Sequence, residues 1–127
     1  MKIVHRIEQD VAIVAIDGSI IFPDANEISG YISKLMEALP MKGIALDFTQ
    51  VSFVDSQGVA VLIGLQEGLD TQKIPLAFFA VTKKILRILG VIGLDTLLKI
   101  YETSNEAVAF CLEKKQKGWQ ENQRHAI

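Results

Sequence analysis

The chain opens with two short runs rich in β-branched residues, residues 3–8 and 11–16. Such runs are typical of β-strands. Only Gln9 and Asp10 separate them. A parallel return needs a connection of a dozen or more residues, so this short link predicts an antiparallel hairpin.

Helix-like and strand-like patterns alternate after the hairpin. Apolar residues at helical spacing predict four helices. The first follows Asp24, the second runs from Ser56 to about Thr71, the third covers Lys83–Leu89, and the fourth follows Thr103 or Ser104. Apolar runs predict strands at Gly43–Phe48, Pro75–Val81 and Leu98–Tyr101. This order predicts an α/β fold, with a mixed sheet of four to five strands opened by the hairpin and about four helices packed against it.

Several local signals refine this prediction. Glu27 stands three residues after Asp24, the spacing of a capping box, so Asp24 is expected to cap the first helix. In the second helix, Val59, Leu62, Ile63 and Leu69 are expected to form the inner face. Three glycines are expected to let that helix lie close to the sheet: Gly58, Gly64 and Gly68.

Composition limits the class of protein. The 127 residues suit one domain, 50% of them are hydrophobic, and the net charge of -2 gives no case for bulk binding to nucleic acid. Cys111 is the single cysteine, which excludes an intrachain disulfide and fits a reducing compartment. Met1 leads into a charged segment unlike a secretory signal, and no apolar run reaches membrane-spanning length. We therefore expect a cytoplasmic protein without a membrane span.

The most informative motif is Asp47-Phe48-Thr49-Gln50-Val51-Ser52-Phe53-Val54-Asp55-Ser56-Gln57-Gly58. A strand ends in a polar turn, Phe53 and Val54 are expected to return to the core, and Asp55-Ser56 opens a helix. Ser56 is either the N-cap of that helix or a hydroxyl presented for modification, and both roles can hold together. Asp55 either orients the serine or is a turn-forming acid near the helix dipole.

This motif resembles the central signature of STAS domains, and more narrowly that of the anti-sigma-factor antagonists. The later run Lys83-Lys84-Ile85-Leu86-Arg87-Ile88-Leu89-Gly90-Val91-Ile92-Gly93-Leu94 is similar to a second segment of that family. The resemblance covers roughly residues 3 to 112. It implies a STAS domain over residues 1–113, followed by a polar C-terminal tail at residues 114–127.

The resemblance also implies a function. In that family, a partner kinase that is itself the anti-sigma factor phosphorylates the serine that follows the aspartate, here Ser56. The unphosphorylated protein binds the kinase and frees a sigma factor, and phosphorylation ends the binding. The resemblance implies no enzyme activity and no cofactor, since the nucleotide belongs to the kinase. A PP2C-type phosphatase and a second copy of the chain are further candidate partners.

The expected contact surface combines the start of the second helix with an apolar loop. Its residues are Asp55, Gln57, Gly58, Ile21, Phe22, Pro23 and Asp24. Exposed Ile20, Ile21 and Phe22 are expected to form an apolar patch beside Pro23.

Two departures from the family pattern keep a second function open. Gln57 stands where many relatives have Ser or Thr, and the loop Gly18-Ser19-Ile20-Ile21 lacks the acid that relatives often carry at its fourth place. The alternative is a non-phosphorylated STAS scaffold or adaptor, of the stressosome-like or transporter-associated kind. A third candidate is a small-molecule or lipid-binding domain, for which the sequence offers no convergent polar cluster.

Other residues have simpler interpretations. Lys83, Lys84 and Arg87 are more typical of a solvated helix face than of a phosphate site, and Cys111 on an apolar stripe indicates a core position. His5 and His125 have no partner at metal-binding spacing. A receiver domain is disfavoured, since Asp17 stands alone and the opening hairpin does not fit an all-parallel sheet. Trp119 in the polar tail could dock on the domain or on a partner.

Overall fold

The computed structural model describes residues 1–125, with side-chain surroundings for residues 1–116. Its first two strands, β1 (Lys2–Glu8) and β2 (Val11–Ile20), pair antiparallel as the short link predicts. The turn between them places both of its residues at positive φ, 51° at Gln9 and 65° at Asp10. Two positive φ values in a two-residue loop match the twist of the flanking strands.

The later strands add to β2 in parallel. They are β3 (Gly43–Val54), β4 (Leu76–Phe79) and β5 (Ile100–Tyr101). Within residues 1–125, the sheet has five strands in the order β1-β2-β3-β4-β5, with β3 at its centre. This confirms the predicted α/β fold with a mixed sheet opened by a hairpin.

The four α-helices of the described part of the chain cover the two faces of the sheet unequally. They are α1 (Glu27–Ala38), α2 (Ser56–Thr71), α3 (Lys83–Val91) and α4 (Ser104–His125). The first three supply the larger core, whereas α4 buries a smaller cluster on the opposite face of the sheet. Alternate residues of β2 serve the two clusters, Ala12 and Val14 the larger and Val11 and Ile13 the smaller. Side chains of a strand point alternately to opposite faces, which explains this division.

The starts of α3 and α4 carry side-chain caps, and the cap expected at Asp24 is absent. The Thr82 hydroxyl accepts from the Ile85 amide at 3.4 Å and caps α3. Thr103 and Glu106 form a reciprocal capping box, in which the Thr103 hydroxyl accepts from the Glu106 amide and the Glu106 carboxylate accepts from the Thr103 amide. The capping box expected at Asp24 is wrong, because Asp24 lies in a 3-10 turn (Asp24–Asn26) that precedes α1 and shows no side-chain cap.

The buried face of α2 differs from the expected one. Leu62 and Leu69 are buried as predicted, whereas Val59 and Ile63 are only half-buried. The predicted inner face missed two buried residues one turn apart, Val61 and Leu65. Two of the three glycines expected to bring α2 close to the sheet do not lie against it. Gly64 and Gly68 are exposed, and a methyl group added to either would meet nothing within 4 Å.

The last helix extends past the expected end of the domain at residue 113. Its backbone is helical to His125, and Lys115 donates to the Lys73 carbonyl at 3.0 Å. The surroundings of Trp119 lie outside the described side chains. The domain boundary therefore stays a prediction.

Candidate functional site at the start of the second helix

Asp55 joins the start of α2 to the loop that follows β2. Its Oδ1 accepts from the Gly58 amide at 2.8 Å, and its Oδ2 accepts from the Phe22 amide at 3.0 Å. The Asp55 amide in turn donates to the Ile20 carbonyl at 3.3 Å. The bonds from Gly58 and Phe22 hold the pKa of the Asp55 carboxyl below its ordinary value. Asp55 is thus the N-cap of α2 and also the residue that fixes the neighbouring loop.

Ser56 is the first residue of α2 and not its cap. The prediction that Ser56 caps the helix is therefore wrong, because Asp55 occupies that position with an extended backbone, φ -94° and ψ -174°. Ser56 is exposed, and among the described residues its hydroxyl has no hydrogen-bond partner. The hydroxyl lies at the positive end of the α2 dipole.

Gly58 brings α2 against the end of β2. A methyl group at this position would overlap the Ile20 carbonyl oxygen and would lie 2.8 Å from Val54 Cγ1. Gly58 is buried, so it supports the surface from below while the adjacent Gln57 is exposed. The predicted close approach of α2 is correct here, at its first turn.

The loop before α1 is less apolar at its surface than predicted. Ile20 is fully buried and Ile21 is half-buried, so the expected exposed patch of three apolar residues is wrong. Phe22 is 68% exposed, and Pro23 and Asp24 are exposed beside it. Ile20 is the last residue of β2 and points into the larger core, which leaves Phe22 as the apolar projection of this loop.

A second exposed ring lies at the end of β3. Val54 enters the core as predicted, but Phe53 is 43% exposed, with Lys84 Nζ 5.5 Å from the centre of its ring. This spacing is a cation–π contact between β3 and the first turn of α3. Sequence reasoning missed the pair. The signal available was that neighbouring strand residues face opposite ways, so Phe53 and Val54 could not both enter the same core cluster.

The structure brings together most of the residues predicted for the contact surface. Asp55 bonds directly to the Phe22 amide and to Gly58, and Ser56 and Gln57 follow it in the first turn of α2. Whether these residues contact a partner stays a prediction. Lys83, Lys84 and Arg87 are exposed, in agreement with a solvated face of α3.

Cys111 and His5 lie away from this surface. Cys111 lies on the buried face of α4, and burial raises the pKa of its thiol to about 12. His5 Nδ1, on β1, lies 2.5 Å from the Tyr31 hydroxyl, on α1. The described residues contain no group of three or more side chains that could hold a metal ion. Within the same part of the chain, no helix combines the length and apolarity required to cross a membrane.

Comparison with known proteins decides the family. The model of the STAS domain matches residues 2–107 of this chain. The chain belongs to the STAS domain family. It is 32% identical over 89 residues to the anti-sigma-B factor antagonist of Listeria monocytogenes, an alignment that covers 65% of this chain and 78% of that relative. The chain is therefore a STAS domain of the anti-sigma-factor antagonist family, whose members are regulatory proteins and not enzymes.

Solved structures show the same fold. A putative anti-sigma factor antagonist from Thermotoga maritima superimposes with a TM-score of 0.77 at 21% identity, over 84% of this chain and 92% of that one. The anti-sigma factor antagonist SpoIIAA, in its unphosphorylated form, gives a TM-score of 0.69 at 18% identity over 84% and 93%. The Bacillus cell fate determinant SpoIIAA in its phosphorylated form gives a TM-score of 0.63 at 17% identity, over 85% of this chain and 97% of that one.

Proposed function

We propose that this STAS domain binds a serine-kinase anti-sigma factor through the surface around the start of α2, and that phosphorylation of Ser56 ends this binding. The observation that carries the proposal is the division of roles between two adjacent residues. Asp55 caps α2 and holds the Phe22 loop, which leaves the exposed Ser56 hydroxyl outside the hydrogen bonds that maintain the fold.

Phosphorylation at this position changes the surface without removing a structural contact. A phosphoryl group adds a charge of about -1.5 to -2 at pH 7. The positive end of the α2 dipole favours an anion at Ser56, and the Asp55 oxygens are turned toward the amides of Gly58 and Phe22. The fold is therefore expected to tolerate the modification. A partner surface fitted to a neutral serine then meets a bulky dianion, and the complex weakens.

The exposed Phe22 ring gives this surface an apolar anchor. It is 68% exposed, while its amide is fixed by Asp55. Aromatic side chains have few rotatable bonds, so they lose little freedom on binding and often dominate the energy of an interface. The kinase is therefore expected to offer an apolar pocket for Phe22 next to the site that receives Ser56.

The decisive experiment combines phosphorylation with binding. The purified protein is incubated with ATP and each anti-sigma-type serine kinase of its source organism, and the phosphorylated residue is mapped by mass spectrometry. We expect one kinase to modify Ser56 and to leave a Ser56→Ala variant unmodified. Calorimetry should then show that the enzymatically phosphorylated protein binds that kinase more weakly than the unmodified protein.

A matched control separates the site from a general charge effect. Ser33 is also an exposed helical serine, on α1. Ser56→Glu should weaken kinase binding, whereas Ser33→Glu should leave it unchanged. If every cognate kinase leaves Ser56 unmodified, the phosphorylation proposal fails, and a scaffold or adaptor that is not phosphorylated becomes the better account.

A further inference from the structure

β1 is a seven-residue strand at the edge of the sheet, and no described strand pairs with its outer side. β1 pairs only with β2 in the described sheet, whereas the opposite edge is formed by β5, which has two residues. Very short edge strands discourage further pairing, but a long edge presents a row of free backbone donors and acceptors. Two apolar side chains of β1 are exposed, Val4 at 52% and Ile7 at 41%.

The hairpin determines which backbone groups face this edge. Glu8 and Val11 flank the two-residue turn and lie opposite each other. Two-residue turns close on a hydrogen-bonded pair, and such pairs alternate along an antiparallel ladder. Even-numbered residues of β1 therefore bond to β2, while the backbone groups of Ile3, His5 and Ile7 point outward.

Charges on β1 select one way to pair this edge with an identical strand. If two copies of β1 run antiparallel with His5 opposite its equivalent, Lys2 faces Glu8 of the other copy and Ile3 faces Ile7. This register also places the outward backbone groups opposite one another, in three pairs with about six hydrogen bonds. Arg6 then faces Val4.

The neighbouring registers are less favourable. Sliding the pair by two residues in one direction sets Lys2 against Arg6 of the other copy, and sliding it the other way sets Arg6 against Arg6. Like charges directly opposite destabilise a strand pair, and opposite charges stabilise it. Glu8 already accepts from Arg6 Nε through Oε1 at 3.1 Å, which leaves Oε2 for the second copy.

We infer that this protein forms a two-fold symmetric dimer in which the β1 edges of two copies pair antiparallel about His5 and the two sheets become continuous. A two-fold interface uses the same patch twice, so each charge pair and each isoleucine pair occurs twice. The interface lies at the edge of the sheet, while Ser56 follows the central strand β3. The dimer and the proposed phosphorylation site are thus independent.

A charge-reversal experiment tests the register directly. Lys2→Glu and Glu8→Lys are made as separate variants, and self-association is measured by sedimentation velocity over a range of concentrations. We expect the natural protein to dimerise. Each single variant should self-associate at least about tenfold more weakly, because two attractive charge pairs become repulsive. Lys99→Glu, at an exposed position beside β5, should dimerise like the natural protein.

Mixing the two single variants provides the decisive measurement. In a mixed dimer, the chain with Glu at positions 2 and 8 faces a chain with Lys at both, so both charge pairs are attractive again. An equimolar mixture should therefore associate more strongly than either variant alone. Lys2 also faces Asp17 within the chain, and mixing leaves that contact unchanged, so recovery reports on the dimer only. A monomeric natural protein, single variants that dimerise normally, or a mixture that stays monomeric would each overturn the inference.

Discussion

Substitution of Gly58 by alanine should destabilise the domain, although alanine is the better helix former. A methyl group at this position overlaps the Ile20 carbonyl oxygen, lies 2.8 Å from Val54 Cγ1 and lies 3.1 Å from the Ile20 carbonyl carbon. Two of these contacts are with backbone, which cannot rotate away. The overlap can be relieved only by moving α2 away from the end of β2.

The expected magnitude follows from two opposing effects. Replacing a helical glycine by alanine contributes about 0.5–1 kcal/mol of stability through the backbone. Overpacking a tight contact costs about 1–3 kcal/mol and occasionally more. Contact with a fixed carbonyl belongs at the upper end of that range, so Gly58→Ala should lose about 2 kcal/mol in the free energy of unfolding.

The same helix supplies the matched control. Gly64 and Gly68 are exposed, and a methyl group on either meets nothing within 4 Å. Gly64→Ala and Gly68→Ala should each gain about 0.5–1 kcal/mol. Urea unfolding should therefore separate Gly58→Ala from Gly64→Ala by about 3 kcal/mol, with similar m values. If Gly58→Ala is as stable as Gly64→Ala, the close approach of α2 to Ile20 is refuted.

Three further predictions concern other parts of the molecule. The pKa of Asp55 is lower in the folded protein than in the unfolded chain, so its stabilising contribution is complete above the unfolded value of 3.8 and is lost as pH falls through the folded value. In urea unfolding, the free energy of unfolding of the natural protein should therefore fall more steeply at acid pH than that of Asp55→Asn. Parallel pH profiles of the two proteins would contradict this. Phe22→Ala should change the free energy of unfolding by less than about 0.5 kcal/mol, since the ring is exposed, yet should reduce affinity for the kinase by about tenfold or more in calorimetry; unchanged affinity would remove Phe22 from the interface. Cys111, with its thiol pKa raised to about 12, should react with a thiol reagent at pH 8 far more slowly in the native protein than in urea, and equal rates would show that α4 does not protect it.

The order and type of the helices and strands were predictable because they depend on residue spacing. A link of two residues allows only an antiparallel return, and the hairpin follows from Gln9 and Asp10 alone. The apolar residues on both faces of Gly43–Phe48 place that strand at the centre, where the structure has it. The extension of the same strand to Val54 was not predictable in this way, because Thr49, Gln50 and Ser52 interrupt the apolar pattern.

The helix caps were less predictable because a cap requires a backbone conformation as well as a side chain. Thr82 and Asp55 cap their helices from extended backbone, with ψ of 159° and -174°. Pro23 and Asn26 precede their helical segments with ψ of 0° and -15°, and neither caps by its side chain. The spacing of Asp24 and Glu27 looked like a capping box, but spacing does not determine ψ.

The glycines of α2 illustrate a second limit of the sequence. Gly58, Gly64 and Gly68 recur along one helix, and nothing in their spacing distinguishes them. Only the neighbour across the interface does: the Ile20 carbonyl lies against Gly58, and solvent lies beside the other two. Such neighbours depend on the packing of distant segments, so the sequence could indicate a close contact without giving its position.

Because Asp55 and not Ser56 caps α2, the Ser56 hydroxyl is free for modification. If the serine hydroxyl capped α2, phosphorylation would replace a hydrogen bond that holds the helix start. Because Asp55 supplies that bond to Gly58 and a second one to Phe22, the helix start and its loop stay fixed whichever form Ser56 takes. A rigid surface whose charge changes at one exposed hydroxyl can lose a partner through electrostatic repulsion alone, without any rearrangement of the fold. The aspartate before the serine is thus the residue that makes a modification at the serine compatible with an unchanged structure.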